Sequence, residues 1–178
     1  MPALLRIERP APDEYFSYFE RYVARVTGDD AIEALSAGHE ATRALVAKLT
    51  DAQAMHRYAP DKWSIKEVLV HLADCERVFD YRALHFARND ANPLPGFDEN
   101  SWAPESRSDA RPIAEIVADL SAVRAATIAL FRSFDAPALV RRGTANQRSM
   151  SVRGAAWIIA GHELHHQGVL RERYGLSG

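Results

Sequence analysis

Apolar residues recur at steps of three and four along four long stretches of the chain, and no stretch of comparable length alternates with period two. The fold class this pattern predicts is all-α. The first stretch runs from Asp30 to about Leu49, with Leu35, Thr42, Leu45, Val46 and Leu49 on one face and Asp30 and Glu33 suited to a helix start. The second opens at Ser64, which with Glu67 has the spacing of a capping box, and continues to about Arg88. The third starts near Pro112 and turns Ile113, Ile116, Val117, Leu120, Val123, Leu130 and Phe134 inward. The fourth spans Ser151 to Tyr174 and stops before Gly175. Helices of about 20 to 25 residues are about 30 to 37 Å long, which suits a four-helix bundle.

The second and third helices are joined by a long connection, NDANPLPGFDENSWAPESRSDA, rich in Pro, Asn and Asp. Connections of that length are usually functional or cross the fold. A short N-terminal arm, residues 1–29, carries five aromatics in APDEYFSYFERYV and is expected to pack across the bundle as a short helix. The bundle itself occupies residues 30–175, so a single domain covers residues 1–178.

Charge narrows the partners. The 22 basic residues are scattered among 24 acidic ones for a net charge of -2, so no footprint for nucleic acid or an anionic membrane is visible. No run of about 18 apolar residues occurs, and the N-terminus lacks the basic and apolar regions of a secretory leader. Cys75 is the single cysteine, which leaves no intrachain disulfide, and a cytoplasmic location is the expectation.

The fourth helix interrupts its own apolar stripe. At about 100° per residue, Val152, Ala155, Ala156, Ile159 and Leu170 cluster around one direction, and His162 and His166 fall in the same sector while His165 points away. An unpartnered buried imidazole costs about 1 to 3 kcal/mol, so a metal ion, a buried water or a carboxylate should compensate it. On the second helix, His71 lies on the flank of the stripe formed by Ile65, Leu69, Leu72, Phe79, Ala83 and Phe86, a position that can face a cavity between helices. Three imidazoles with an open fourth position make a reactive site for a first-row divalent ion. His71, His162 and His166 are therefore candidate metal ligands, provided the packing register brings them to one level. Satisfied core or surface histidines are the alternative.

Other groups read more plainly. His162-Glu163-Leu164-His165-His166 matches the five-residue zincin pattern, but the chain offers no strands to accompany it; Glu163, near the edge of the inward sector, is expected as an exposed helix acid, with a base or a ligand-supporting role as the alternative. Cys75 reads as a buried cysteine, with a thiolate ligand or a reactive thiol as the alternatives, and His39 as a packing residue. Trp63 and Trp157 are expected as core anchors, and Trp102 as a cover over a pocket. No catalytic residue can be assigned.

Three segments in order, KWSIKEVLVHLADCERVFDYRALHFAR, NPLPGFDENSW and AAWIIAGHELHHQGVLRERY, resemble the DinB-like superfamily of four-helix-bundle proteins, and within it the DinB_2 type. The resemblance spans about Ala31 to Tyr174. It implies a divalent metal ion (Zn, Ni or Fe) held by one histidine on the second helix and two on the last, at positions matching His71, His162 and His166. Relatives include transferases of low-molecular-weight thiols, mycothiol-dependent maleylpyruvate isomerase and the DinB-like part of ergothioneine-pathway enzymes, and others are called metal-dependent hydrolases. The expectation is a metal-dependent enzyme that transfers a low-molecular-weight thiol to an electrophilic small molecule. A hydrolase and a non-catalytic binding or stress-response module are the alternatives, and fold analogy alone raises a homodimer. The connection from Asn89 to Asp109, with Asp98 and Trp102, would form part of the pocket wall.

Overall fold

Three of the four long helices begin at a side chain that accepts one of the backbone N–H groups a helix start leaves unpaired. The computed structural model describes residues 6–177; residues 1–5 of the expected arm and Gly178 lie outside the described residues. In chain order the elements are α1 (Glu20–Val23), α2 (Ala31–Val46), α3 (Asp51–Ala54), α4 (Ile65–Ala87), α5 (Glu99–Glu105), α6 (Ile113–Arg132), α7 (Ala136–Leu139), β1 (Arg142–Ala145), β2 (Arg148–Ser151) and α8 (Val152–Glu172). Asp30, Ser64 and Ser151 accept from the backbone N–H of Ile32, Glu67 and Gly154. Glu67 completes the capping box by accepting the Ser64 N–H at 2.7 Å. Helix α6 has Pro112 at its start, and the N–H of Ile113 is taken by the Asp51 carboxylate at 2.7 Å, which ties α3 to α6.

The bundle consists of α2, α4, α6 and α8. Helices α4 and α2 each pack against both α6 and α8, so α2 and α4 oppose each other across the diagonal. The first helix is shorter than the periodicity predicts. It ends at Val46, and Thr50 with Gln53 starts α3 through its own capping box. The long connection is also more ordered than its composition suggests, since it contains α5, capped by Asp98.

One element escaped the sequence pattern. Strands β1 and β2 pair antiparallel with Arg142 opposite Ser151 and Ala145 opposite Arg148. Asn146 and Gln147 between them both have positive φ, 49° and 61°, the backbone of a type I′ turn. Four-residue strands are too short to show alternation, and a glutamine at the second turn position hides the usual Asn-Gly signal. The hairpin lies flat on α4 at Gly143, where a Cβ would come 1.9 Å from the Phe86 ring.

Apolar packing falls into two clusters with a polar layer between them along every bundle helix. One cluster gathers Leu35, Phe79, Phe86, Phe131 and Trp157, and the other gathers Leu45, Leu69, Leu72, Leu120 and Leu170. Between Leu35 and Leu45 on α2 lie His39 and Thr42, between Leu72 and Phe79 on α4 lies Glu76, and Arg124 and Thr127 take the equivalent place on α6. On α8 the layer is the stretch from His162 to Gln167.

Asp80 borders this layer at a cost. Its Oδ2 accepts the Thr127 hydroxyl at 2.7 Å, while Oδ1 is buried with no partner among the described residues. Burial raises its pKa to about 7, with the Glu76 charge adding and Thr127 opposing. A carboxyl raised above its unfolded value contributes stability below about pH 4 that is lost as the pH climbs toward 7. Asp80→Asn keeps the bond to Thr127 and removes the titration. It is expected to stabilise the protein by about 2 kcal/mol at pH 8 and by little at pH 4, as read by urea unfolding at the two pH values.

Candidate metal centre

His71 projects from α4, and His162 and His166 project one turn apart from α8, the two helices being packed side by side. Their rings converge. His162 Nε2 lies 3.1 Å from His71 Nε2 and 3.1 Å from His166 Nε2. One potential ligand atom from each ring lies within 4.8 Å of the others. Three nitrogens placed 2.0–2.1 Å from one ion at tetrahedral angles would be about 3.3 Å apart, close to this spacing.

Electrostatics favour neutral rings. Burial lowers the pKa of His71 to about 4, with His165 adding to the shift. His162 and His166 are pushed well below the ordinary value of 6.5, first by burial and then by their imidazole neighbours. A neutral imidazole has one N–H and one lone pair, so His162 Nε2 cannot satisfy two nitrogens through hydrogen bonds of its own. A shared cation would take the lone pair of all three. The donor set fits a borderline divalent ion.

The cluster forms one wall of an open cavity of about 650 Å³. Trp63 lies against His71 with ring centroids 4.7 Å apart, and Cys75 Sγ is 3.5 Å from His71 Nδ1. The thiol is buried, as the buried-cysteine reading has it, and burial raises its pKa. The arm supplies the opposite side. Tyr22 sets its ring edge-on to His162 at 5.3 Å, and Phe16 and Phe19 also line the space. The arm can approach so closely because α8 has glycine at 161. A Cβ there would lie 2.1 Å from the Tyr22 carbonyl oxygen.

Behind the histidines, α8 turns Glu163 the other way, into the polar layer. Its Oε1 accepts the Thr42 hydroxyl at 2.7 Å and its Oε2 accepts Arg124 Nη1 at 2.7 Å. Arg124 also donates from Nε and Nη2 to the two oxygens of Glu76, each at 2.8 Å. Gln167 donates to the Gly38 carbonyl and to Thr42. Helix α8 thus carries imidazoles on its pocket side and is clamped to α2 and α6 on the other.

Several expected positions need correction. Glu163 is 2% exposed and ion-paired, not an exposed acid, because Arg124 on α6 reaches it. Trp63 is half-buried, packing against the Leu69–Leu120 cluster while also forming a wall of the cavity, whereas Trp157 is fully buried and donates its indole N–H to Ile7 O. From the long connection, Phe97 and Glu99 line the cavity. Asp98 is spent on the α5 cap, and Trp102 packs on Phe97 outside the main cavity. His165 stands at the rim, and His39, bonded to Ser121 Oγ at 3.0 Å, takes no part in the cluster. Sequence reasoning missed Tyr22, Arg21, Arg82 and Arg148, all of which line the cavity. The aromatic density of the arm was the available signal for the first.

The fold and cluster define a helical bundle with a histidine-walled cavity. The family model described as DinB superfamily matches residues 34–170, and the chain belongs to that family. Among solved structures it is similar to YfiT from Bacillus subtilis, described as a probable metal-dependent hydrolase with an unusual four-helix bundle topology. The TM-score is 0.70 at 21% identity, covering 83% of this chain and 87% of that one, a likeness of fold. No curated protein matches the chain. Among the described residues no helix is long and apolar enough to cross a membrane.

Proposed function

We propose that the protein is a metal-dependent transferase in which His71, His162 and His166 hold a divalent ion, with a low-molecular-weight thiol as co-substrate. The observation that carries the reading is the meeting of three imidazole Nε2 atoms on the open wall of a cavity far larger than a water molecule. A divalent ion bound there supplies Lewis-acid activation, lowering the pKa of a thiol or water toward neutrality. In the transfer, the thiol loses its proton to solvent water, sulfur forms a bond to carbon of the electrophile, and the leaving group departs with the electron pair of the bond it gives up.

The surroundings favour a thiol over water as the nucleophile. A hydrolase commonly places a free carboxylate beside its water, but Glu163 is locked to Arg124 and Thr42 and faces away from the cavity. A thiol needs no such base once its pKa is lowered. Hydrolysis is the second reading, supported by Glu99 on the cavity wall and by the description of YfiT.

Titration of the cobalt-loaded protein with millimolar cysteine or glutathione is expected to change its visible spectrum. Consumption of the thiol in the presence of monochlorobimane should then exceed the uncatalysed rate. An unchanged spectrum together with an unchanged rate overturns the transferase reading.

A further inference from the structure

Arg82 is a cation without a counter-ion. It is 5% exposed and lines the same cavity as the histidines, yet no carboxylate lies within 4 Å of it among the described residues. Its one hydrogen bond is a long contact of 3.4 Å to Pro95 O. The guanidinium otherwise lies over the Phe79 ring at 4.9 Å and the Phe97 ring at 5.8 Å. An unpaired buried charge costs several kcal/mol, so a chain that keeps one beside an open cavity gains from a partner that arrives from solution.

The rest of the cavity agrees in sign. Arg21 reaches only tyrosine hydroxyls and rings, and Arg148 lies over Phe16 at 4.2 Å. Against these three arginines the cavity wall holds, among the described residues, a single carboxylate, Glu99. Helix geometry also relates Arg82 to the histidines. Eleven residues advance about 16 Å along α4 with only about 20° of net rotation, so Arg82 lies on the same face as His71, three turns away. Between them on that face stand Cys75 and Phe79.

We infer that Arg82 is the anchor for a carboxylate on the small-molecule substrate, whose aromatic or branched apolar body lies along Phe79 and Phe97 toward the histidine cluster. A guanidinium meets a carboxylate through two parallel hydrogen bonds, a geometry that lysine does not reproduce. Arg148 and Arg21 at the mouth raise the local concentration of anions without being required for the contact. The inference rests on the reading of this cavity as the substrate site and adds the class of substrate.

The test compares 4-phenylbutyrate with its uncharged amide, 4-phenylbutanamide, by calorimetric titration of the wild-type protein and of Arg82→Met and Arg82→Lys. The acid is expected to bind at least tenfold more tightly than the amide to the wild type. Arg82→Met should reduce that preference to less than threefold, with Arg82→Lys in between. Equal binding of acid and amide by the wild type overturns the inference. So does a preference that survives in Arg82→Met, which would put the anion elsewhere. If Arg82→Met fails to fold, the Arg82 Nε–H resonance of wild-type protein decides: it must shift with the acid and stay with the amide, and no shift overturns the inference. Metal content measured on the same samples separates the two readings. Full metal with no acid preference refutes the anchor alone, and an acid preference in protein that binds no metal refutes the metal reading alone.

Discussion

Arg124→Met is expected to lower the unfolding free energy by about 3 to 5 kcal/mol at pH 8, the range seen when one partner is removed from a buried ion pair. Arg124 is 3% exposed and stays charged although burial opposes it, because Glu76 and Glu163 both hold its proton. Without the guanidinium, two buried carboxylates face one another and the Leu35 carbonyl loses its donor. Urea unfolding of the variant, with the triple variant Glu76→Gln, Arg124→Met, Glu163→Gln alongside, checks the account. The triple variant removes all three charges of this network and is expected to recover at least half of the loss. No recovery in the triple variant would mean that Arg124 acts through packing alone.

His166→Ala, and equally His71→Ala, is expected to weaken zinc or cobalt binding by at least about a hundredfold. Loss of a mere hydrogen-bond partner of a ligand already costs 10- to 100-fold, and here a donor atom itself goes. Equilibrium dialysis of untagged protein reads the effect directly. Stoichiometric metal retained in both variants refutes the assignment. The metal-free wild type supplies a further check through its pH dependence. A histidine whose folded pKa is depressed contributes stability above its ordinary value of 6.5 that is lost as the pH falls through its folded pKa. Metal-free protein should therefore lose stability between about pH 6.5 and 4, and the loss should be smaller in either alanine variant.

Much of the scaffold is written in local chemistry. The starts of α2, α4 and α8 follow from Asp30, Ser64 and Ser151, whose side chains act within three residues of themselves. The placement of His162 and His166 on an otherwise apolar face was also legible, because helical rotation alone determines it. What stayed hidden depends on distant partners. Glu163 reads as a surface acid until Arg124, thirty-nine residues away, is known to meet it. The wall residues from the arm and the hairpin could not be read from α8 at all. Arg82 shares a helical face with His71, but that relation acquires meaning only once a cavity is known to open along the face.

The origins of the histidines and of the other cavity walls are separate. The three imidazoles come from two helices that also hold the bundle together, whereas Phe16, Phe97 and Arg148 belong to the arm, the long connection and the hairpin. Substitutions in those peripheral pieces would reshape the cavity while the spacing of the imidazoles, set by α4 and α8, stays as it is. Contour and grip are thus separable properties of this chain.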